Sequence, residues 1–185
     1  MRELTTFSRV RQMGRRHTIA RTRGHSGATA RARTKTHYSK TSSDSPTTFK
    51  GTMTDTFTDK SRAIFAKKVL AHVASLGPDG APYVTPVWCE LDGEDIVINT
   101  ALGRAKARHL ASDPRVAVSL TDPDNAYDCI AVRGTVVTFT TVGADEVIDR
   151  FAKKYMDVDS YPLRREGEVR VTVRIRPDRI AIQPS

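Results

Sequence analysis

The sequence predicts a mainly β domain with a few helices, a small antiparallel barrel, preceded by a basic tail. Three observations lead there. Apolar residues after Met53 recur in short alternating runs separated by Gly, Pro, Asn and Asp turns. Strands follow at short, regular spacing with helices inserted late, and the turn chemistry excludes a doubly wound βαβ sheet. Charge and hydrophobicity also change together near Met53: residues 1–52 hold 12 Lys+Arg against Glu3 and Asp44, whereas residues 53–185 carry a net charge of −1.

That charge division removes the most obvious reading of a 185-residue chain with a net charge of +9, a nucleic-acid or membrane-surface binder. The folded part carries no such excess. From Ala20 to Thr48 there is no Val, Ile, Leu, Met, Phe or Trp, so this stretch cannot offset the entropy of ordering its backbone and is expected to be disordered. Its Arg, Ser and Thr content suits a transit peptide or a nucleic-acid-binding arm. The reading preferred here is that Met53 is the true start and that residues 1–52 lie upstream of it. Residues 53–185 suffice for one core. No apolar run approaches the roughly 20 residues of a membrane span. Cys89 and Cys129 form neither a disulfide ladder nor a CxxC pair, which points to a reducing cytoplasm. His72 and His109 lack metal-ligand spacing, and His72, in mid-strand, is expected to be a satisfied structural histidine.

Within the domain, Thr58 or Asp59 caps a short helix with Ala63, Ile64, Ala66 and Lys67 in its body. Val69–Leu76 alternates as a strand, Gly77–Gly80 is a tight turn, Pro82–Leu91 returns, and Asp95–Thr100 completes a meander. Gly103–Ser112 reads as a helix, stopped because Pro114 forces Asp113 out of the helical region. Arg115–Thr121 and Cys129–Thr141 are the next strands, with Gly134 as a bulge or bend. Ala144–Tyr155 is an amphipathic helix presenting Val147, Ile148, Phe151 and Ala152. Glu168–Arg176 places Val169, Val171, Val173 and Ile175 inward, and Arg179–Ile182 ends the domain.

The segment richest in chemistry is "NTALGRAKARHL", Asn99–Leu110. Arg104, Lys106 and Arg108 crowd the start of a helix, where positive charge opposes the helix dipole. A bound phosphate would compensate, since free backbone N–H groups and adjacent cations make an anion site. The same pattern also fits a solvated basic helix face. No carboxylate pair, Ser/His/Asp set or Cys/His set occurs at suggestive positions, as suits an enzyme whose cofactor carries the chemistry.

The run from Ser75 to Val136, with "DGAPYVTPVW", "NTALGRAKARHL", "DPRVAVS" and "VRGTV" in that order, resembles the flavin-binding split-barrel family of pyridoxamine 5′-phosphate oxidase. Within it the run is most similar to the branch using the deazaflavin coenzyme F420. The likeness covers Leu70–Ile182. It implies a six-stranded antiparallel Greek-key barrel that forms homodimers, with cofactor sites between protomers. On this chain it places Val84, Thr85, Pro86 and Val87 along the ring system. Asn99, Thr100, Arg104, Ala105 and Lys106 would hold the phosphate, Arg108 would reach the acidic tail of the deazaflavin, and Tyr127 would come from the partner. Trp88 is left as a core or interface aromatic, and His109 as a further contact to the cofactor tail. The implied function is hydride transfer from reduced F420 to a small unsaturated or conjugated acceptor. The alternatives are an FMN-binding oxidase or reductase and a redox-inactive cofactor-binding dimer. Nothing after "DRIAIQPS" matches the substrate-phosphate segment of the pyridoxamine oxidases proper, so vitamin B6 oxidation is not expected.

Overall fold

The computed structural model describes residues 52–183; the expectations of a disordered tail and of a start at Met53 therefore concern residues almost wholly outside the described ones. In chain order the elements are β1 (Thr52–Thr54), α1 (Asp59–Ala66), β2 (Leu70–Leu76), β3 (Pro82–Asp92), β4 (Asp95–Ala101), α2 (Ala105–Ser112), β5 (Arg115–Thr121), β6 (Cys129–Thr140), α3 (Ala144–Met156) and β7 (Arg170–Gln183). Thr58 caps α1, its hydroxyl accepting the Ser61 N–H at 3.3 Å, which satisfies one of the helix's orphan donors. Lys67 is the C-cap of α1, not part of its body.

The strands run β7-β4-β3-β2-β5-β6, and β6 pairs back onto β7. Every pairing is antiparallel, so the sheet closes into the expected six-stranded barrel. The strand not foreseen is β1, which adds to the far half of β7 with Met53 opposite Ala181. The two expected C-terminal strands are one continuous β7. One of the two irregular points in its pairing with β6, where Arg133 faces Arg179 but Gly134 faces Pro177, is a bulge that absorbs Asp178 and tolerates a proline without ending the pairing.

Val73, Ile96, Ile98, Val118, Leu120, Ile130, Val171, Val173 and Ile175 fill the barrel, with Ile64 and Phe65 from α1 and Leu110 from α2 packed against them. Full burial of such a side chain contributes about 1.5–3 kcal/mol. Val169, expected inward, precedes β7 and is exposed. A second cluster lies outside the wall, where Ile148 and Phe151 of α3 cover Val97; β4 is consequently buried on both faces. The Tyr155 hydroxyl bonds the Val69 carbonyl at 2.5 Å and accepts the Cys89 N–H at 3.1 Å, tying α3 to β3. Burial beside that strap pushes the Cys89 thiol up to about 11, so it is a packing residue and not a nucleophile.

Candidate functional site

The barrel wall splits on one side. β3 pairs with β2 from Pro82 to Trp88, but with β4 only from Cys89 to Asp92, while Asn99–Ala101 of β4 pair with β7. Backbone groups along the Pro82–Trp88 edge therefore face a seam. The start of α2 roofs it. Gly103, at φ +83°, makes the reversal from strand to helix that a side chain would resist. The helix begins at Ala105, not Gly103: Arg104 is the N-cap, extended, with no side-chain cap and no acidic residue in the first turn. The first N–H groups of α2 thus have no side-chain acceptor.

Lys106, with 8% of its surface exposed, reaches across the seam and donates from Nζ to Thr85 Oγ1 at 3.0 Å. It forms none of the ion pairs found among the described residues. Desolvation first, then repulsion from Arg104 and Arg170, lowers its pKa from 10.5 to about 8. Arg104 Nη2 bonds Glu168 Oε1 at 2.6 Å, and Glu168 Oε2 takes Arg170 Nη1 at 3.1 Å. Burial would raise the Glu168 carboxyl, but the bonds from Arg104 and Arg170 outweigh it and hold it below its usual range. Arg170 also donates from Nε to Asn99 Oδ1 at 2.9 Å and lies over the Tyr161 ring at 5.1 Å. Asn99 Nδ2 donates to the Ala144 carbonyl at 2.8 Å, which fixes its amide orientation. These groups surround a cleft of about 240 Å³ whose apolar wall is Pro86, Val87 and Trp88. Trp88 itself is stacked on Tyr155.

Of the residues expected at a cofactor site, Pro86, Val87, Asn99, Arg104 and Lys106 line this one cleft. Thr85 joins through Lys106, and Ala105 opens α2. Four do not come with them. Thr100 is buried and its hydroxyl has no partner among the described residues; it follows Asn99 on a strand and so faces the opposite side. Val84, 56% exposed, lines a separate apolar cavity with His72 and Ala117. Arg108 folds back to bond the Gly103 carbonyl. Tyr127, 75% exposed, stands on the β5–β6 loop. His72 is exposed, contrary to the structural role expected of it. His109 sits 3.3 Å from the Ser75 hydroxyl and edge-on to Tyr83. The polar and aromatic cleft residues that sequence reasoning missed are Arg170 and Tyr161, with Glu168 behind them; the one signal for Glu168 and Arg170 was the charged pair flanking Val169.

Outside the β2–β5–β6 wall lie two adjoining apolar cavities of about 500 and 390 Å³ that share Ala74, Ala117 and Arg133. No group of three His, Cys, Asp or Glu among the described residues is placed to hold a metal ion, and none of the described helices is long and apolar enough to cross a membrane.

The family model of pyridoxamine 5′-phosphate oxidase matches residues 57–183. Among solved structures, an F420 reductase is 28% identical, with a TM-score of 0.59 over 64% of this chain and 94% of its own. A Listeria innocua protein provisionally assigned as a pyridoxamine 5′-phosphate oxidase is 17% identical, with a TM-score of 0.54 over 69% of this chain and 98% of its own. A conserved Mycobacterium tuberculosis protein is 22% identical, with a TM-score of 0.53 over 69% and 85%. The last two likenesses concern the fold alone.

Proposed function

We propose, on the premise that this chain belongs to the pyridoxamine 5′-phosphate oxidase family, that its cleft holds the ribityl phosphate of the deazaflavin F420 and that the protein is an F420-dependent oxidoreductase. Flavin-type cofactors and oxidoreductase chemistry come with the family; the deazaflavin and its acceptor are this reading's additions. The observation that carries it is Lys106, a buried ammonium whose one hydrogen-bond partner among the described residues is a threonine hydroxyl. Burying a charge without a counter-charge is costly, and an anion in the cleft removes that cost. A phosphate there fits, because it would meet Lys106, Arg104 and the uncapped N–H groups of α2 together.

The seam edge of β3 offers its backbone, around Thr85–Val87, to the pyrimidine side of a ring system. Pro86, Val87 and Trp88 exclude water beneath it. When bound, the deazaflavin supplies a hydride as an obligate two-electron carrier, and the acceptor is a small unsaturated or conjugated molecule. No protein acid or base is indispensable in this scheme. The reading includes a homodimer, with the partner's Tyr127 flanking the cleft; the apolar surface around Ala74 and Ala117 supports it, being the kind of patch a partner covers. One observation favours FMN as the second reading: Arg108 is engaged with the Gly103 carbonyl rather than standing clear for an acidic cofactor tail.

The experiment is to follow oxidation of reduced deazaflavin by a panel of conjugated acceptors with an oxygen electrode in the same cell. Acceptor-dependent oxidation without oxygen uptake is expected. Turnover with FMN and oxygen uptake moves the assignment to the second reading, and no turnover with either cofactor contradicts both.

A further inference from the structure

We infer that Arg170 is a third cation of the phosphate anchor and that Glu168 is the residue that positions it together with Arg104. The inference rests on the cofactor-site reading above and concerns residues outside the "NTALGRAKARHL" run.

Arg170 is only 5% exposed, yet it lines the cleft. Its Nε is used by Asn99 and its Nη1 by Glu168, and its face lies on Tyr161. Arginine has five N–H donors in a fixed fork, and the Nη2 pair has no partner among the described residues. That pair is not among the sealed, unpartnered polar atoms of the described residues, so it stays open to a ligand in the cleft. The charge count points the same way. A purely structural ion pair would balance, but Arg104, Lys106 and Arg170 line one cleft, and the one carboxylate paired with them among the described residues is that of Glu168, behind the lining. That leaves an excess of two positive charges facing the site, which suits a phosphate.

Glu168 gives one oxygen to each guanidinium, so it fixes the spacing between the two arginines before any ligand arrives. It is itself well anchored. Its N–H bonds the Arg165 carbonyl at 3.0 Å, and the carbonyl of the next residue, Val169, accepts the Leu102 N–H at 2.9 Å. These bonds lock the Glu168 turn to the Gly103–Arg104 turn. Pre-organisation of this kind reduces the ordering cost of binding.

The test uses the full chain and Trp88, its single tryptophan, whose ring lines the cleft and reports occupancy by fluorescence. Titrations with FMN, the deazaflavin and inorganic phosphate are paired with thermal melts. R170Q is expected to weaken FMN and deazaflavin binding roughly ten- to a hundredfold and to abolish the rise in melting temperature that inorganic phosphate gives the wild type. R170K, which keeps the charge and loses the fork, is expected to lose roughly three- to tenfold, and E168Q a similar amount. Wild-type affinity in R170Q, or in R170K should R170Q fail to fold, overturns the inference. So does a variant that melts earlier yet binds as tightly when folded, since that is the behaviour of a structural arginine. If those results come with tight wild-type binding, the cofactor-site reading stands and only the role of Arg170 falls; a wild type that binds none of the three ligands overturns both.

Discussion

An ammonium group enclosed as Lys106 is, with a threonine hydroxyl as its hydrogen-bond partner, destabilises the free protein wherever it stays protonated. Its folded pKa is lowered from 10.5 to about 8, so between those values the unfolded chain binds more protons, and stability rises with pH across that window. Below pH 8 the penalty is fully present. K106M is therefore expected to be more stable than the wild type at pH 7 by about 1–2 kcal/mol, less than the full shift because the ammonium keeps some hydration. The gap should close towards pH 10.5 in denaturant melts taken across the range. A K106M variant no more stable than wild type at pH 7 would remove the penalty from the account. Arg104 and Lys106 could be picked out as candidates because they sit in one contiguous run at the start of a helix. Arg170 was not, because strand alternation assigns a residue to a face without saying whether another layer covers that face, and here α3 packs over part of it. Thr100, which the family likeness put beside Asn99, turns its side chain to the opposite face of β4, as neighbours on a strand do.

Elements were read best where local chemistry sets them. Arg115–Thr121 matches β5 residue for residue, since Pro114 and the Asp122–Pro123 turn bound it. The Gly134 irregularity was also visible, though its partner was not. A Cβ at Gly134 would lie 2.5 Å from the Arg176 carbonyl oxygen, so the glycine is there to let β6 and β7 close the barrel at the bulge. G134A is expected to cost about 1–3 kcal/mol by overpacking against backbone, read as a lower denaturant midpoint, while cofactor affinity of the folded protein is unchanged because the cleft lies on another part of the wall. A neutral G134A would contradict the closure argument. The three residues of β1 escaped notice because their only support is the edge of β7, a long-range pairing that leaves no periodic signal in so short a segment. The α2 boundary moved by two residues because the positive φ of Gly103 is needed to turn the chain and Arg104 serves as the extended N-cap.

Across the whole molecule, the barrel leaves one face unlike the others, the small-residue surface of Ala74, Ala117 and Ala131 outside β2, β5 and β6. If two protomers meet there, A117E should shift the protein from dimer to monomer in sedimentation at micromolar concentration; a monomeric wild type would remove the composite site and the role given to Tyr127. Fold class was readable because turn spacing and alternation are local, whereas the seam was not, since it depends on β3 being unpaired with β4 before Cys89. A fluorescence titration of wild type and the R104A/K106A double variant with the deazaflavin and, separately, with FMN decides whether this seam is a phosphate-anchored cofactor site. The expected result is tight wild-type binding of the deazaflavin and a loss of roughly a hundredfold or more in the double variant, each charge-assisted bond being worth about 1.5–3 kcal/mol. Unchanged binding by the double variant, or a wild type that takes neither ligand, would contradict it.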